Sequence, residues 1–219
     1  MPRPKRGLTP SGLVLVDKPA GPSSFAVVNQ LREQTGARAG HAGTLDPFAT
    51  GLLLVLLGAF TKQAQRFVGL TKEYETEVDL SATTSTGDPE GHVVESHAPP
   101  QHEQLEERIA ALRGDVDLQI PAASAIKIGG ERAYKLMRRG VEVDMPFRRT
   151  TVHELEVLAY DGRIVRLRTH LSSGGYVRSL AEALGGHCVS LRRTSVGPFR
   201  LEDANPARVI APEQALGEL

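Results

Sequence analysis

A glycine-rich loop that runs directly into an apolar segment is the feature of this 219-residue sequence that most constrains its fold. Residues 40–51 read Gly-His-Ala-Gly-Thr-Leu-Asp-Pro-Phe-Ala-Thr-Gly, and the continuous apolar run 52–57 follows at once. Such a run predicts a buried strand, although periodicity alone does not separate it from a buried helix. The sequence therefore places one carboxylate, Asp46, on a loop that is tied to the interior.

The remaining segments predict strands and helices that alternate along the chain. Turn residues bound the apolar run 13–16, alternation marks 74–80, and the Asp161-Gly162 pair predicts a hairpin. The predicted strands are 13–16, 52–57, 74–80, 151–160, 164–171 and 188–196, and the predicted helices are a segment from Ser23 or Ser24 to Gly36, then 61–68, 101–113 and 176–184. This order favours an α+β fold with a mixed, largely antiparallel sheet flanked by helices.

The composition excludes several classes of protein. Lys plus Arg and Asp plus Glu are both 26, so an RNA site would have to be a local basic patch. The one cysteine, Cys188, indicates a reducing compartment, for which we predict the cytoplasm. The longest apolar run, residues 51–60, is far shorter than the roughly 20 residues that span a bilayer.

Physical chemistry alone leaves the role of Asp46 open. Glycines allow close approach to a ligand, and Pro47 biases Asp46 toward extended backbone geometry. The carboxylate could be a nucleophile, a general base or a metal ligand, or it could only start a turn. No metal-ligand spacing and no phosphate-binding loop pattern is visible in the sequence, so we expect no metal and no cofactor.

The loop resembles the signature loop of the TruB family of pseudouridine synthases. Further segments resemble that family's motifs in the family's order: Lys72-Glu73-Tyr74, residues 84–91, Ile120-Pro121 with Ser124-Ala125-Ile126-Lys127, residues 174–180, and Leu191-Arg192-Arg193-Thr194. The chain departs from the usual pattern at Ser81, Ser85 and Ala123, and none of these replaces a proposed catalytic group. The resemblance covers nearly the whole chain, from about residue 12 to residue 204.

The resemblance implies an isomerase that converts a uridine in RNA to pseudouridine. Asp46 would be the nucleophile, Arg178 its ionic partner, and Tyr74 the aromatic ring against the target base. Attack at ribose C1′, attack at base C6 and removal of the C2′ proton all remain open. Residues that would contact the nucleotide or the RNA are His41, Tyr176, Leu191, Lys18, Lys127, Arg192 and Arg193, and Asp88 would either hold a loop or contact RNA.

The resemblance also implies a domain organisation and a substrate. We expect a basic tail at residues 1–10, a catalytic domain at residues 11–205, and a short tail at residues 206–219 without the RNA-binding PUA domain. The expected substrate is uridine 55 in the T loop of tRNA, flipped into the site. We expect a monomer that needs no protein partner.

Three alternatives differ from this interpretation. A non-catalytic tRNA-binding or RNA-folding module on the same fold would be favoured by loss of Asp46, Tyr74 or Arg178, and all three are present. A guide-RNA-directed synthase usually carries the PUA domain and additional tails. A glycoside hydrolase would need a second acidic residue beside Asp46, and its loop has none.

Overall fold

The computed structural model describes residues 10–219, and residues 1–9 of the predicted basic tail lie outside the described residues. The strands are β1 (Gly12–Lys18), β2 (Ala39–His41), β3 (Thr50–Leu57), β4 (Lys72–Asp79), β5 (Ala82–Thr84), β6 (Val93–Ser96), β7 (Gly114–Gln119), β8 (Lys127–Ile128), β9 (Glu131–Arg132), β10 (Phe147–Tyr160), β11 (Ile164–Leu171), β12 (His187–Val196) and β13 (Phe199–Arg200). The helices are α1 (Ser24–Thr35), α2 (Ala64–Val68), α3 (His102–Ala111), α4 (Ala133–Arg138), α5 (Val177–Ala183) and α6 (Pro212–Gly217). Short 3-10 helices occupy Gly58–Gln63 and Leu201–Asp203.

The chain forms two compact units. Residues 10–73 and 192–219 make the first unit, and Tyr74–Leu191 make the second. The two divisions fall inside β4 and β12, so each of these strands has residues in both units. The predicted catalytic domain, residues 11–205, includes parts of both.

Strand β3 is the centre of the first unit. It pairs antiparallel with β1 and β2, and parallel with β12 at Thr50–Arg192 and Gly51–Arg193. All its residues after Thr50 are buried, which confirms the predicted buried strand. One apolar cluster around it contains Leu13, Leu15, Ala42, Leu52, Leu54, Leu56, Phe60, Phe67, Val196, Phe199 and Ala215.

Helix α1 begins and ends where its capping residues predict. The Ser23 side chain accepts a hydrogen bond from the Ala26 backbone N–H, and Gly36 ends the helix in the left-handed conformation (φ 65°). Val27, Val28 and Leu31 lie on its buried face. The predicted boundaries are therefore confirmed, and Ser23 is the residue that caps.

The C-terminal segment packs on the rest of the first unit. Leu13 and Ile210 exchange two backbone hydrogen bonds of 2.9 and 2.8 Å, which attach the chain to the edge of β1. Helix α6 then buries Ala215 in the apolar cluster. The segment predicted as a short tail thus contributes to the core.

The second unit is built on the strand order β12-β4-β11-β10-β7. Strands β10 and β11 are antiparallel, and Asp161 accepts hydrogen bonds from the backbone N–H groups of Arg163 and Ile164 in their turn. Alternate residues of β4 are buried, as the sequence pattern predicted. The antiparallel pairs and the parallel β3–β12 pair confirm the predicted mixed, largely antiparallel sheet with helices.

Several boundaries differ from the sequence-based prediction. The helix predicted at 61–68 starts as a 3-10 helix at Gly58, and the helix predicted at 101–113 ends at Ala111. Its expected stop, Gly114, begins the edge strand β7, which the sequence-based prediction missed although Val116 and Leu118 alternate with Asp115 and Asp117 as in a half-buried strand. Strand β10 begins at Phe147 rather than at residue 151 because residues 147–152 pair with β7.

Asp79 should contribute measurably to stability, because it is buried and accepts hydrogen bonds from both the Arg163 guanidinium (2.6 Å) and Ser81 (2.6 Å). Burial raises the pKa of Asp79, but these hydrogen bonds outweigh that effect and lower it well below its usual range. The stability that Asp79 contributes is therefore complete above the ordinary pKa of a carboxyl group. It is lost as the pH falls through the lower pKa that Asp79 has in the folded state. Asp79→Asn should lower the free energy of unfolding by about 1–3 kcal/mol at neutral pH, measured by urea unfolding.

The matched control is Asp117→Asn, which breaks an exposed ion pair with Arg149 and should cost less than about 1 kcal/mol. Equal losses in the free energy of unfolding for the two variants would contradict the stabilising role of Asp79.

Candidate active site

Asp46 lies in a loop without regular structure between β2 and β3, and its side chain is half-buried. A backbone hydrogen bond of 3.1 Å from Ala49 N–H to the Asp46 carbonyl closes the turn after it. Most of the other bonds that hold this loop come from side chains distant in sequence. They come from Lys18, Ser24 and Arg193, all in the first unit.

Lys18 at the end of β1 holds the loop after Asp46. Its side chain is fully buried, and its ammonium donates hydrogen bonds to the carbonyls of Ala49 (2.7 Å), Pro47 (3.2 Å) and Pro19 (2.8 Å). Burial lowers the pKa of Lys18, the negative charge of Asp46 raises it, and the positive charge of Arg193 lowers it. Lys18 is thus occupied by backbone carbonyls, and its predicted phosphate contact finds no support in this geometry.

Ser24 holds the loop before Asp46. Its hydroxyl donates to the Leu45 carbonyl (2.9 Å) and accepts from the Leu45 backbone N–H (2.8 Å). The sequence suggested Ser24 only as a possible helix cap, because no local pattern shows a bond across such a separation. Gly21 adds a bond from its backbone N–H to the Pro47 carbonyl (2.8 Å). Both neighbours of Asp46 are therefore fixed to the segment that starts α1.

Arg193 on β12 holds the beginning of the loop. Only 1% of its surface is exposed, and its guanidinium donates to the carbonyls of Leu52 (2.7 Å) and Gly43 (3.1 Å). A third donation, to Thr44, is longer at 3.5 Å. Gly51 allows β12 this close, because a Cβ at Gly51 would lie 2.3 Å from the Arg193 carbonyl oxygen. Arg193 was predicted as a phosphate contact, and the structure shows it as an internal support instead.

Lys72 and His41 both lie close enough to Arg193 for its positive charge to act on them. Lys72 is buried and donates to the carbonyls of Val68 (2.8 Å) and Leu70. Burial, with a smaller contribution from Arg193, lowers the pKa of Lys72 to about 8. The same two effects, in the same order, lower the pKa of His41, which favours its neutral form. The buried His41 Nδ1 has no hydrogen-bond partner among residues 10–219.

Arg192 differs from Arg193 in its exposure and in its hydrogen-bond partners. Its side chain is 43% exposed and pairs with Asp17 (2.8 Å), with a further bond to the Thr50 hydroxyl (3.2 Å). It lines an open cavity of about 520 Å³ in the first unit. An exposed guanidinium at such a place remains compatible with the predicted RNA contact.

Arg178 is the most enclosed charged residue of the second unit. It lies in the first turn of α5, is 2% exposed, and donates to the carbonyls of Thr86 (2.7 Å) and Ala123 (2.9 Å). Asp88 lies 3.5 Å from the guanidinium. A buried charge requires such hydrogen bonds, and they fix the direction of this side chain.

Glu182 and Asp88 complete the surroundings of Arg178. Burial raises the pKa of Glu182, Arg178 lowers it and Asp88 raises it. Asp88 is buried and accepts from the Thr86 hydroxyl (2.5 Å) and the Glu90 backbone N–H (3.0 Å). Of the two roles left open for Asp88, its contacts support the structural one. Glu182 was missed, although its spacing of four residues from Arg178 on a helix was a usable signal.

The remaining predicted nucleotide contacts also belong to the second unit. Tyr74 on β4 and Leu191 on β12 are each 7% exposed, and half-buried Tyr176 precedes α5. The Arg148 guanidinium lies 5.9 Å from the centre of the Tyr176 ring. Lys127 is exposed on the short β8–β9 hairpin, so it is accessible to a phosphate.

The fold is similar to that of solved pseudouridine synthase structures. A crystal structure of a Cbf5-Nop10-Gar1 complex matches with a TM-score of 0.67 and 27% identity, covering 90% of this chain and 55% of that chain. An archaeal box H/ACA sRNP Nop10-Cbf5 complex matches with a TM-score of 0.62 and 26% identity over the same shares. A crystal structure of a pseudouridylate synthase, 18% identical with a TM-score of 0.54, covers 97% of this chain and 75% of that chain and shows the fold alone. These likenesses confirm the predicted fold class.

Residues 31–177 match the family model described as TruB family pseudouridylate synthase, N-terminal domain. A tRNA pseudouridine synthase B of Mycobacterium sp. strain KMS is 45% identical, over 94% of this chain and 73% of the relative. That of Corynebacterium glutamicum strain ATCC 13032 is 46% identical, over 89% of this chain and 70% of the relative. The chain therefore belongs to the TruB family of pseudouridylate synthases, which confirms the predicted family and enzyme class.

Residues 10–219 contain no group of three or more His, Cys, Asp or Glu side chains arranged to bind a metal ion. None of the helices described there is long and apolar enough to cross a membrane.

Arg193→Lys should destabilise the protein far more than Arg192→Lys. A lysine at 193 cannot reach the three carbonyls that the guanidinium fork serves, and buried unpaired carbonyls cost about 1–3 kcal/mol each. We expect a loss of roughly 2–4 kcal/mol in the free energy of unfolding for Arg193→Lys. The adjacent Arg192→Lys control should lose less than about 1 kcal/mol. Urea unfolding of both variants checks this, and a similar loss for both would refute the structural role.

Proposed function

We propose that this chain converts a uridine of tRNA to pseudouridine, with Asp46 as the nucleophile. The observation that carries the proposal is the attachment of the loop on both sides of Asp46 by Lys18 and Ser24. Relatives 45% identical that are named tRNA pseudouridine synthase B supply the substrate class. A nucleophile must be held close to its reaction geometry, and a fixed loop satisfies that requirement.

The reaction exchanges one bond of the nucleotide for another. The N-glycosidic bond of uridine breaks, the base rotates, and its C5 joins the ribose C1′ while the C5 proton leaves. Asp46 could attack ribose C1′, attack base C6, or remove the C2′ proton. An ionised carboxylate serves each of these three routes.

Two groups of the second unit have proposed roles in the same reaction. We propose Tyr74 as the ring that stacks on the flipped uridine and Arg178 as the ionic partner of the nucleophile. Both roles rest on the family motifs. For the role of Arg178, the structure adds one supporting observation. The guanidinium donates hydrogen bonds to the carbonyls of Thr86 and Ala123, which hold it in one direction. Tyr176 and Leu191 are proposed as apolar walls for the base.

The proposed substrate is uridine 55 in the T loop of tRNA. A base within a folded RNA must be flipped out before an enzyme can act on it, and the RNA is recognised mainly through its shape and phosphates. Exposed Lys127 and Arg192 support phosphate contacts. An enzyme of tRNA is expected in the cytoplasm, and that location remains part of the proposal.

Asp46→Asn should abolish product formation and leave RNA binding intact, because it removes the charge and preserves the shape of the side chain. The assay incubates an unmodified T-arm stem-loop with the full chain and maps pseudouridine chemically. Asp203→Asn, an exposed carboxylate of the same unit, is the control and should retain wild-type activity. Turnover by Asp46→Asn at the wild-type rate would rule out the assignment.

Arg178→Lys should lower kcat by at least about tenfold with saturating stem-loop, because lysine lacks the planar fork that serves several acceptors at once. Arg166→Lys, at an exposed position of β11, is the control for any general effect of replacing arginine by lysine. Thermal unfolding of each variant separates loss of folding from loss of turnover. A folded Arg178→Lys protein with wild-type kcat would contradict the proposed role.

A further inference from the structure

Phe25 is a large aromatic side chain that the first unit leaves in solvent. It is 64% exposed, whereas Phe60, Phe67 and Phe199 of the same unit are at most 5% exposed. The rings of those three pack against one another at 5.6 and 5.9 Å. The unit therefore has an aromatic core from which Phe25 is excluded, although burying a phenylalanine contributes about 1.5–3 kcal/mol.

The position of Phe25 is fixed relative to the Asp46 loop. Phe25 follows Ser24, whose hydroxyl makes both bonds to Leu45, the residue before Asp46. Consecutive Cα atoms are only about 3.8 Å apart. Gly21 and Lys18, in the same segment, bond to Pro47 on the other side of Asp46. The exposed ring is therefore carried by the segment that holds the nucleophile.

The charge around Phe25 suits a nucleic acid. Its helix, α1, has no acidic residue of its own in the first turn, so no side chain of that turn neutralises the positive end of the helix dipole. Phosphates bind well at helix N-termini for this reason. The surface thus offers an exposed aromatic face, on which unpaired bases stack whatever their sequence, beside a helix end at which a phosphate can bind.

We propose that Phe25 stacks on an unpaired base of the RNA substrate close to the target uridine. The occupant is one nucleotide of a single-stranded loop, with its ring on Phe25 and its phosphate toward the start of α1. This inference rests on the proposed function, because it assumes that the chain acts on RNA. It adds a contact outside the set of residues in which the family resemblance placed the chemistry.

The first experiment measures RNA affinity and turnover of Phe25 variants. Base stacking on aromatic residues contributes enough that Phe25→Ala should weaken stem-loop binding roughly tenfold, with KM raised in the same proportion and kcat unchanged. Phe25→Tyr should bind like wild type, and Phe25→Leu should resemble Phe25→Ala, because leucine is apolar but has no ring. Val209→Ala, another exposed apolar residue of the unit, should have no effect.

The second experiment uses the absence of tryptophan from the sequence. In the Phe25→Trp variant the single indole should lose fluorescence on addition of the stem-loop, because stacked bases quench it. The Val209→Trp variant, with its indole also in the first unit and away from the proposed contact, should show no change. RNA that binds the Phe25→Trp variant at wild-type affinity without quenching would overturn the proposal.

The outcomes also separate this inference from the proposed function. Wild-type affinity of Phe25→Ala with normal pseudouridine formation would refute the stacking contact and leave the function standing. If the stem-loop quenches the indole of Phe25→Trp but the wild-type chain forms no pseudouridine in that RNA, the proposed function is refuted and the stacking contact stands. A change confined to self-association, measured by sedimentation, would assign Phe25 to an interface between copies and refute the stacking contact.

Discussion

The hydrogen bonds from two buried cations to backbone carbonyls are the interactions on which the Asp46 loop depends. Lys18 and Arg193 lose their hydration in the interior, at a cost of several kcal/mol for each ion unless polar groups replace the water. The carbonyls of residues 43, 47, 49 and 52 supply those groups, and the loop must keep its conformation to do so. The two cations can therefore be buried only when the loop has this conformation. Because Lys18 is near the start of the chain and Arg193 near its end, the loop cannot form before distant segments assemble.

The parts of the fold that were predicted correctly are those with local signals. Ser23 and Gly36 end α1 on both sides because each satisfies backbone groups within the helix itself. The β10–β11 hairpin follows from Asp161 and Gly162, whose turn geometry needs nothing outside the hairpin. Strand β7 was missed although the alternation of Val116 and Leu118 with Asp115 and Asp117 is itself a strand signal, and only its pairing with β10 had to come from the structure.

The sequence named candidate site residues but did not indicate the contacts that each of them makes. Arg192 and Arg193 are adjacent residues of the same type, and both were predicted to contact phosphate. Their fates differ because side chains on a strand alternate between faces, which puts Arg193 on the buried side with Leu191 and Ser195. That alternation is readable in Leu-Arg-Arg-Thr-Ser once the buried face is known. The acceptors of Arg193 lie about 140–150 residues away in sequence, and no local pattern identifies them.

The Asp46 loop is also connected to the surface around it. A carboxylate with the proposed role of Asp46 must be held by groups whose own conformations are fixed, and here its loop is held by the Lys18 ammonium and the Ser24 hydroxyl. Ser24 is the point at which this internal support reaches the surface, because the residue after it is exposed. Phe25 is therefore attached to this loop through the two hydrogen bonds between Ser24 and Leu45, the residue before Asp46. A base stacked on the Phe25 ring would be held at a position that the fold sets relative to Asp46, the proposed nucleophile.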